Sequence, residues 1–421
     1  MAKRSLLQTP VYELAGYKAF VQGWRERFTD VGRRAVVTMV LLGVLALDTR
    51  RNQTFLLFAI AVGLHVAAVL VVRLGRPKAQ LFLAVPPRAT VGEAVAIRGR
   101  VLVAEGDGAL LRTTFGQRFD PRRLSIEPDE QVVVADSGAE LAVRFTLKAA
   151  RRGRYELGRA TLRPLDPLGF VAGDKLDATK GGHVVLVAPP IFPFELDGGV
   201  LGRRHQLGGA PLGNSTSDSL ELVGTREWRP GDRLRNVHWR SFARLGVPVV
   251  KEFHEEYFPR VAIVLDTQLP ARITVTDRAA FEASLSVGGS IAARLAEQEQ
   301  AVELLAAGPE LYRVAVGRGL GQLEAVLDVL ACVEPAPPTS GALAELCAAL
   351  EPELARIATF YVVLLDWDDE RAALVEHLRA AGAEVHVVLV REGPTTGPVA
   401  APEDLTRMTP SDVQRAIAGA R

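Results

Sequence analysis

The chain has 421 residues, and its 50 Lys plus Arg are almost cancelled by 49 Asp plus Glu. That balance excludes a polyanion binder acting through net charge, so any basic surface must be local. The length suffices for two or three domains, and a mean hydropathy of +0.14, high for a soluble protein, traces to one N-terminal region.

Residues 10–30 place Tyr17, Phe20, Val21, Trp24 and Phe28 on one helical face, with Arg25, Glu26 and Arg27 near its end. Such a helix either lies at a membrane surface or packs on the body of the protein. Two apolar runs follow. Ala35–Leu47 is short for a span, because a bilayer core needs ~20 helical residues. Phe55–Val72 is long enough and carries no full charge. DTRRNQ between them reads as a short polar connection, so residues 1–78 are expected to form an amphipathic segment and a transmembrane helical hairpin. The first run starts late and lacks a small-residue cleavage pattern, which argues against a cleaved signal peptide. Arg25, Arg27, Arg33 and Arg34 precede the first run, and Arg73, Arg76 and Lys78 follow the second, against Arg50 and Arg51 beside Asp48 in the loop. This asymmetry predicts two spans of the cytoplasmic membrane with both termini and the main domains cytoplasmic. His65 in the second run is expected to pack within the hairpin rather than relay protons.

From residue 79 to 192 short β-rich runs are separated by Gly, Pro and Asp. In ELAVRFTLK, Leu141, Val143, Phe145 and Leu147 alternate with Ala142, Arg144, Thr146 and Lys148, one face buried and the other wet. Regular spacing of such runs predicts a β-sandwich. Its glycines, including the one in DPLG, serve turns. Residues 193–258 open on a glycine-rich loop with Arg203, Arg204 and His205, and continue into GTREWRPGDRLRNVHWRSFARLGVPVVK (224–251). Arg229-Pro230-Gly231-Asp232 suits a tight turn. Asp232 can cap a helix over Arg233–Leu245, closed by Gly246 in a left-handed conformation. From residue 259 to 421 apolar strands alternate with helices, which implies a parallel-rich sheet with helices on both faces. Cys332 and Cys347 fit neither a disulfide framework nor a zinc spacing and point to a reducing compartment.

Arg226, Glu227, Trp228, Arg229, Pro230, Gly231, Asp232, Arg235, Trp239, Ala243 and Arg244 resemble, in order, the signature of the bacterial "domain of unknown function 58" family. His238 stands where that family often has Asp or His, and Phe242 departs from a usually small residue. RRGRYELG and DPLG in residues 151–170 are similar to the segment preceding the signature. The resemblance, with the strand–helix alternation, implies an α/β von Willebrand factor A-like domain. It also implies a MoxR-type AAA+ ATPase as partner, with the chain as adaptor or assembly factor.

In such domains a metal site is expected above the carboxyl ends of the strands, built from Asp-x-Ser-x-Ser because Mg²⁺ prefers carboxylate and hydroxyl oxygens. The chain has Asp266-Thr267-Gln268-Leu269-Pro270, so the acid is in place and both serines are lost; Asp366 could supply a second carboxylate. Asp266 and Asp366 are therefore a degenerate Mg²⁺ site, or else helix caps and loop acids. In the signature, Arg226, Arg229, Arg235, Arg240 and Arg244 either form a basic contact surface, with Trp228 free to stack, or pair with Asp232 to lock the loop. The locking role suits Asp232 and Arg235 with Trp239 as core; Arg229 and Arg240 are better placed for contact. His238 with Asp232 or Glu255 could be drawn as an acid–base pair, but no nucleophile or oxyanion site accompanies it. No catalytic residues are assigned. The expectation is a membrane-anchored interaction protein rather than an enzyme, with no cofactor and no nucleic acid. Two alternatives are a metal-dependent hydrolase using Asp266 and Asp366, and a polyanion binder using the arginines.

Overall fold

The computed structural model describes residues 24, 27–47, 52–106, 108–116, 120, 122–179, 182–196, 222–230, 232, 234–253, 260–316, 320–338, 341–354, 356–397 and 405–420. The amphipathic face of residues 10–30 falls almost wholly outside them, as does most of the glycine-rich loop. The chain divides into two compact units that change over at Pro190 and Ile191, with Leu330–Cys332 grouped with the first.

The first unit opens with α1 (Asp30–Leu45) and α2 (Asn52–Leu74). Thr29 caps α1 by accepting from the Gly32 N–H, which satisfies one of the free donors of the first turn. Gly43 of α1 lies against the Phe58 ring of α2. Only α2 among the described residues is long and apolar enough to cross a membrane. Of the expected hairpin of two spans, one helix of crossing length is shown. The 16 residues of α1 rise about 24 Å at 1.5 Å each, short of the ~30 Å hydrocarbon core.

Strands β1 (Lys78–Ala84), β2 (Arg88–Thr90), β3 (Ala94–Glu105), β4 (Leu110–Phe115), β5 (Leu124–Glu127), β6 (Glu130–Val134), β7 (Glu140–Ala149), β8 (Gly153–Leu157), β9 (Ala160–Leu165), β10 (Asp177–Ala178) and β11 (His183–Ala188) follow. They form sheets β1-β3-β7-β5, β10-β9-β4-β6 and β2-β11-β8. The alternation expected in β7 is present: Val143, Phe145 and Leu147 are buried while Ala142, Arg144 and Lys148 face water. Their partners in the core are Leu111, Leu157, Leu162, Val185 and Val187 from the other sheets, and Phe115 meets Phe145 edge to face at 5.0 Å between centroids. The result is a β-sandwich-like domain. Each fully buried Leu, Val or Phe there contributes roughly 1.5–3 kcal/mol.

The second unit begins with β12 (Leu222–Glu227), α3 (Trp239–Leu245) and β13 (Val249–Phe253); β12 and β13 pair antiparallel, with Arg226 opposite Val250. Then come β14 (Arg260–Leu265), α4 (Val275–Glu297), β15 (Ala301–Ala307), β16 (Leu311–Val316), α5 (Leu320–Cys332), α6 (Ala342–Leu350), β17 (Ile357–Leu364), α7 (Asp369–Ala380), β18 (Glu384–Val390), β19 (Thr406–Met408) and α8 (Pro410–Gly419). The sheet order is β16-β15-β14-β17-β18-β19. All pairs are parallel except β15 with β16, so the parallel-rich sheet carries one antiparallel edge strand. Two-residue alternation sends Ala262 and Val264 to the face covered by Leu343 and Leu346 of α6 and by Leu374, Val375 and Leu378 of α7. On α4 the burial of Phe281, Leu285, Gly288 and Ile291 marks a second cover, and a Cβ on Gly288 would meet Leu265 at 2.8 Å. Burial on both sides explains why β14 and β17 are continuous apolar runs.

Candidate functional sites

In the signature, Asp232 organises the turn. Its two carboxylate oxygens accept from Arg226 Nη1 and Nη2, each at 2.8 Å, in a forked pair. Asp232 also accepts from the Arg229 backbone N–H at 2.8 Å, and its carbonyl oxygen accepts from Trp228 Nε1 at 3.4 Å. The Arg226 hydrogen bonds, then that of the Arg229 N–H, hold the Asp232 carboxyl down at about 2. Asp232 is thus fully engaged and does not cap a helix. A short 3₁₀ turn (Leu234–Asn236) follows, and α3 starts only at Trp239. Its cap is His238, whose Nδ1 accepts from the Ser241 N–H and faces Ser241 Oγ at 2.6 Å. The helix closes as expected on Gly246 at φ 70°, where a Cβ would be strained.

Trp239 was expected in the core and is instead 62% exposed. Spacing explains its neighbours: Trp239, Phe242 and Leu245 recur every three residues along one stripe of α3, and Arg240 and Arg244, four apart, lie beside it. No residue of α3 is buried. Leu234, Leu245 and Val247 are also open to solvent, and so are Arg229, Arg240 and Arg244. The locking role expected for Asp232 falls to its pair with Arg226; the Arg235 side chain lies outside the described residues.

The second site lies where the strand order reverses. β15 and β17 flank β14 on opposite sides, so the crevice above the ends of β14 and β17 is the switch point where open α/β sheets bind ligands. Asp266 sits there, 1% exposed. Its Oδ1 accepts from the Gln268 N–H at 2.9 Å. Its Oδ2 accepts from the Leu365 N–H at 3.0 Å and from Arg371 Nε at 2.7 Å. Arg371 projects from the first turn of α7, is itself buried, and also donates to Asp368 and to the Gln268 carbonyl. Burial opposes its charge, but Asp266 and Asp368 beside it raise its pKa above the ordinary guanidinium value.

Asp366 is held in the same manner. Oδ1 accepts from the Trp367 and Thr396 N–H groups at 2.8 and 3.0 Å, while Oδ2 takes the Thr396 hydroxyl at 2.8 Å and Arg391 Nη1 at 3.0 Å. The Thr267 hydroxyl, nearest in sequence to the missing first serine, is spent on the Ala307 carbonyl. These donors do not fit a divalent cation: each carboxylate already carries a guanidinium, and octahedral Mg²⁺ would need those lone pairs. No group of three or more His, Cys, Asp or Glu suited to a metal occurs among the described residues. Arg371 and Arg391, which complete the switch point, were missed in the sequence. The one available signal was Asp368, an N-cap with an arginine three residues on.

An open α/β sheet, parallel but for one edge, with its switch point closed by ion pairs and preceded by a hairpin that displays arginines, defines the class. Residues 224–396 match the family model described as "Protein of unknown function DUF58". No curated protein matches the chain. Among solved structures, a CARDB domain in complex with di-metal ions from Pyrococcus furiosus is 16% identical, covering 26% of this chain and 88% of its own at a TM-score of 0.18. A PKD domain of an M14-like peptidase from a Thermoplasmatales archaeon is 12% identical, covering 27% of this chain and 97% of its own at a TM-score of 0.16.

Proposed function

We propose that the chain is a membrane-anchored interaction protein whose signature hairpin binds a protein partner. The observation that carries this reading is the surface of α3, where Trp239, Phe242 and Leu245 stand exposed beside Arg240 and Arg244. An apolar stripe left open to water and rimmed by polar groups marks an interaction site, and Trp and Arg are the side chains enriched in such contacts. The Arg226–Asp232 fork presets the turn beside it, so little ordering is needed on binding. As the family resemblance implies, the partner is a MoxR-type AAA+ ATPase, which would use ATP while this chain acts as adaptor in assembly or remodelling of client proteins. The unit from β14 onward is a von Willebrand factor A-like domain; its strand order and switch point support this.

The anchor is α2, joined in the membrane by α1. Arg33 and Arg34 at the start of α1 and Arg73, Arg76 and Lys78 after α2 favour a cytoplasmic placement of both ends. The donor set of Asp266 and Asp366 gives no support to metal-dependent hydrolysis.

The test is co-purification of a MoxR-type ATPase with the detergent-solubilised chain, identified by mass spectrometry, for wild type, Trp239→Ala and Arg240→Glu. Loss of the ATPase with either variant at unchanged melting temperature supports the reading. Equal recovery with both variants removes the α3 surface from consideration. Binding that collapses with salt and transfers to nucleic acid would favour the polyanion alternative.

A further inference from the structure

The bases of α1 and α2 grip a turn of the β-sandwich. Phe28 bridges to Val171, and the Ala172 N–H donates to the Arg27 carbonyl at 2.7 Å. Thr29 donates its hydroxyl to the Gly169 carbonyl. Gly32 lies so close that a Cβ would meet the Phe170 carbonyl oxygen at 1.9 Å. On α2 the His65 ring stacks on the Phe170 ring at 5.0 Å and 20°, so His65 packs as expected, though on the sandwich. Further along, Ala68 and Val72 are buried, and a Cβ on Gly173 would meet Val72. Phe170 therefore marks one level on both helices: Gly32 on α1 and His65 on α2.

That level sets a length problem. From Gly32 to Leu45, and from Asn52 to His65, each helix extends 14 residues, or about 21 Å at 1.5 Å per residue. A bilayer core is ~30 Å thick. The connection 48–53, with Asp48, Arg50 and Arg51, is too polar to rest in hydrocarbon. If it lies beyond one border of the core, the other border falls past His65, about two turns further toward Leu74. The Asp166–Phe170 turn then sits on the membrane side of that border.

We propose that this turn is a membrane-inserted element whose exposed Pro167 and Leu168 contact lipid. The proposal rests on the membrane anchoring proposed above. The turn is built for such a place. Leu168 is 47% exposed. The Asp166 carboxylate is fully buried and accepts from the Leu168 and Val171 N–H groups at 2.8 and 2.5 Å, while the Gly169 N–H donates to the Asp166 carbonyl at 2.9 Å. Pro167 has no N–H to satisfy. Non-helical backbone is tolerated at membrane depth when its polar groups are paired within the protein, and the N–H groups of Leu168, Gly169 and Val171 are. On α1 Arg33, paired with Asp30, and Arg34 start at this level and snorkel toward the headgroups; beyond the apolar turn, where headgroups would be, Arg27 and Arg76 meet at Asp174.

The experiment uses the full chain in phosphatidylethanolamine–phosphatidylglycerol vesicles, with Cys332 and Cys347 replaced by serine. One environment-sensitive fluorophore is placed by Leu168→Cys, Leu56→Cys or Lys148→Cys, and lipids spin-labelled on their acyl chains act as quencher. Expected is a loss of emission at position 168 comparable to that at 56 in the apolar part of α2, with none at 148 on the water-facing side of β7. Quenching at 56 without quenching at 168 overturns the proposal and leaves the anchor standing. Quenching at neither position overturns the anchor and the proposal together. A blue-shifted emission at 168 in vesicles relative to detergent-free buffer is the second readout.

Discussion

Two arginine–aspartate pairs in the second unit stand in opposite surroundings, one a two-pronged fork and the other a single Nε contact. Arg226 and Asp232 meet at a surface turn, with side chains 38% and 21% exposed; Arg371 and Asp266 meet inside the sheet crevice, at 7% and 0%. At the surface water screens the attraction, and the pair acts as a clasp that shapes a loop. In the crevice each charge has lost its water, and either one left alone would be costly. Similar residues thus display one site and fill another.

Breaking the buried pair should have the largest effect. Asp266→Ala leaves Arg371 buried without its main partner and should cost about 3–5 kcal/mol of stability, read by denaturant unfolding of the full chain in detergent. The double variant Asp266→Leu with Arg371→Met should recover most of that loss, because the one carboxylate left without its guanidinium, Asp368, is part-exposed and caps α7. A double variant as unstable as the single would show that the crevice needs the carboxylate for its backbone contacts to Gln268 and Leu365 instead. In the wild type, millimolar Mg²⁺ should leave the melting temperature unchanged, since a ligand stabilises only where it binds the folded state. A rise abolished by Asp266→Ala would contradict the filled crevice.

Next comes Trp239→Ala, expected to abolish partner binding while shifting stability by less than about 0.5 kcal/mol, as for surface positions generally. A large loss of stability would mean that Trp239 packs against something. Arg226→Ala should cost less than about 1 kcal/mol, with partner affinity falling because the turn is no longer preset. The smallest effect is in pH. The Asp232 carboxyl lies at about 2 in the fold against an ordinary 3.8, so its contribution is present above the unfolded value and is lost as pH falls from about 3.8 to about 2. The indole N–H resonance of Trp228, which reports on the Asp232 carbonyl, should shift across that window. A midpoint near the ordinary carboxylate value would mean the clasp is open in solution.

Periodicity determined a good deal of this protein. The alternation in β7, the apolar strands β14 and β17 between helices, and the apolar length of α2 follow from which residues face water, a local property readable along the chain. The turn residues around Pro230 and Gly246 likewise announced a loop and a helix end. Only the tertiary structure decided the rest. Asp266 offered a cation ligand in sequence, but a guanidinium 105 positions later reaches its oxygen. Trp239 read as core of a locked loop, yet no residue of α3 is buried. α1 and α2 read as a simple hairpin until the Phe170 turn, 138 residues from Gly32 by number, proved to pack at their bases. For Asp266 and for the helix pair the deciding partner is remote in sequence, and no local pattern encodes which distant group will claim a charge, fill a groove or leave a ring uncovered.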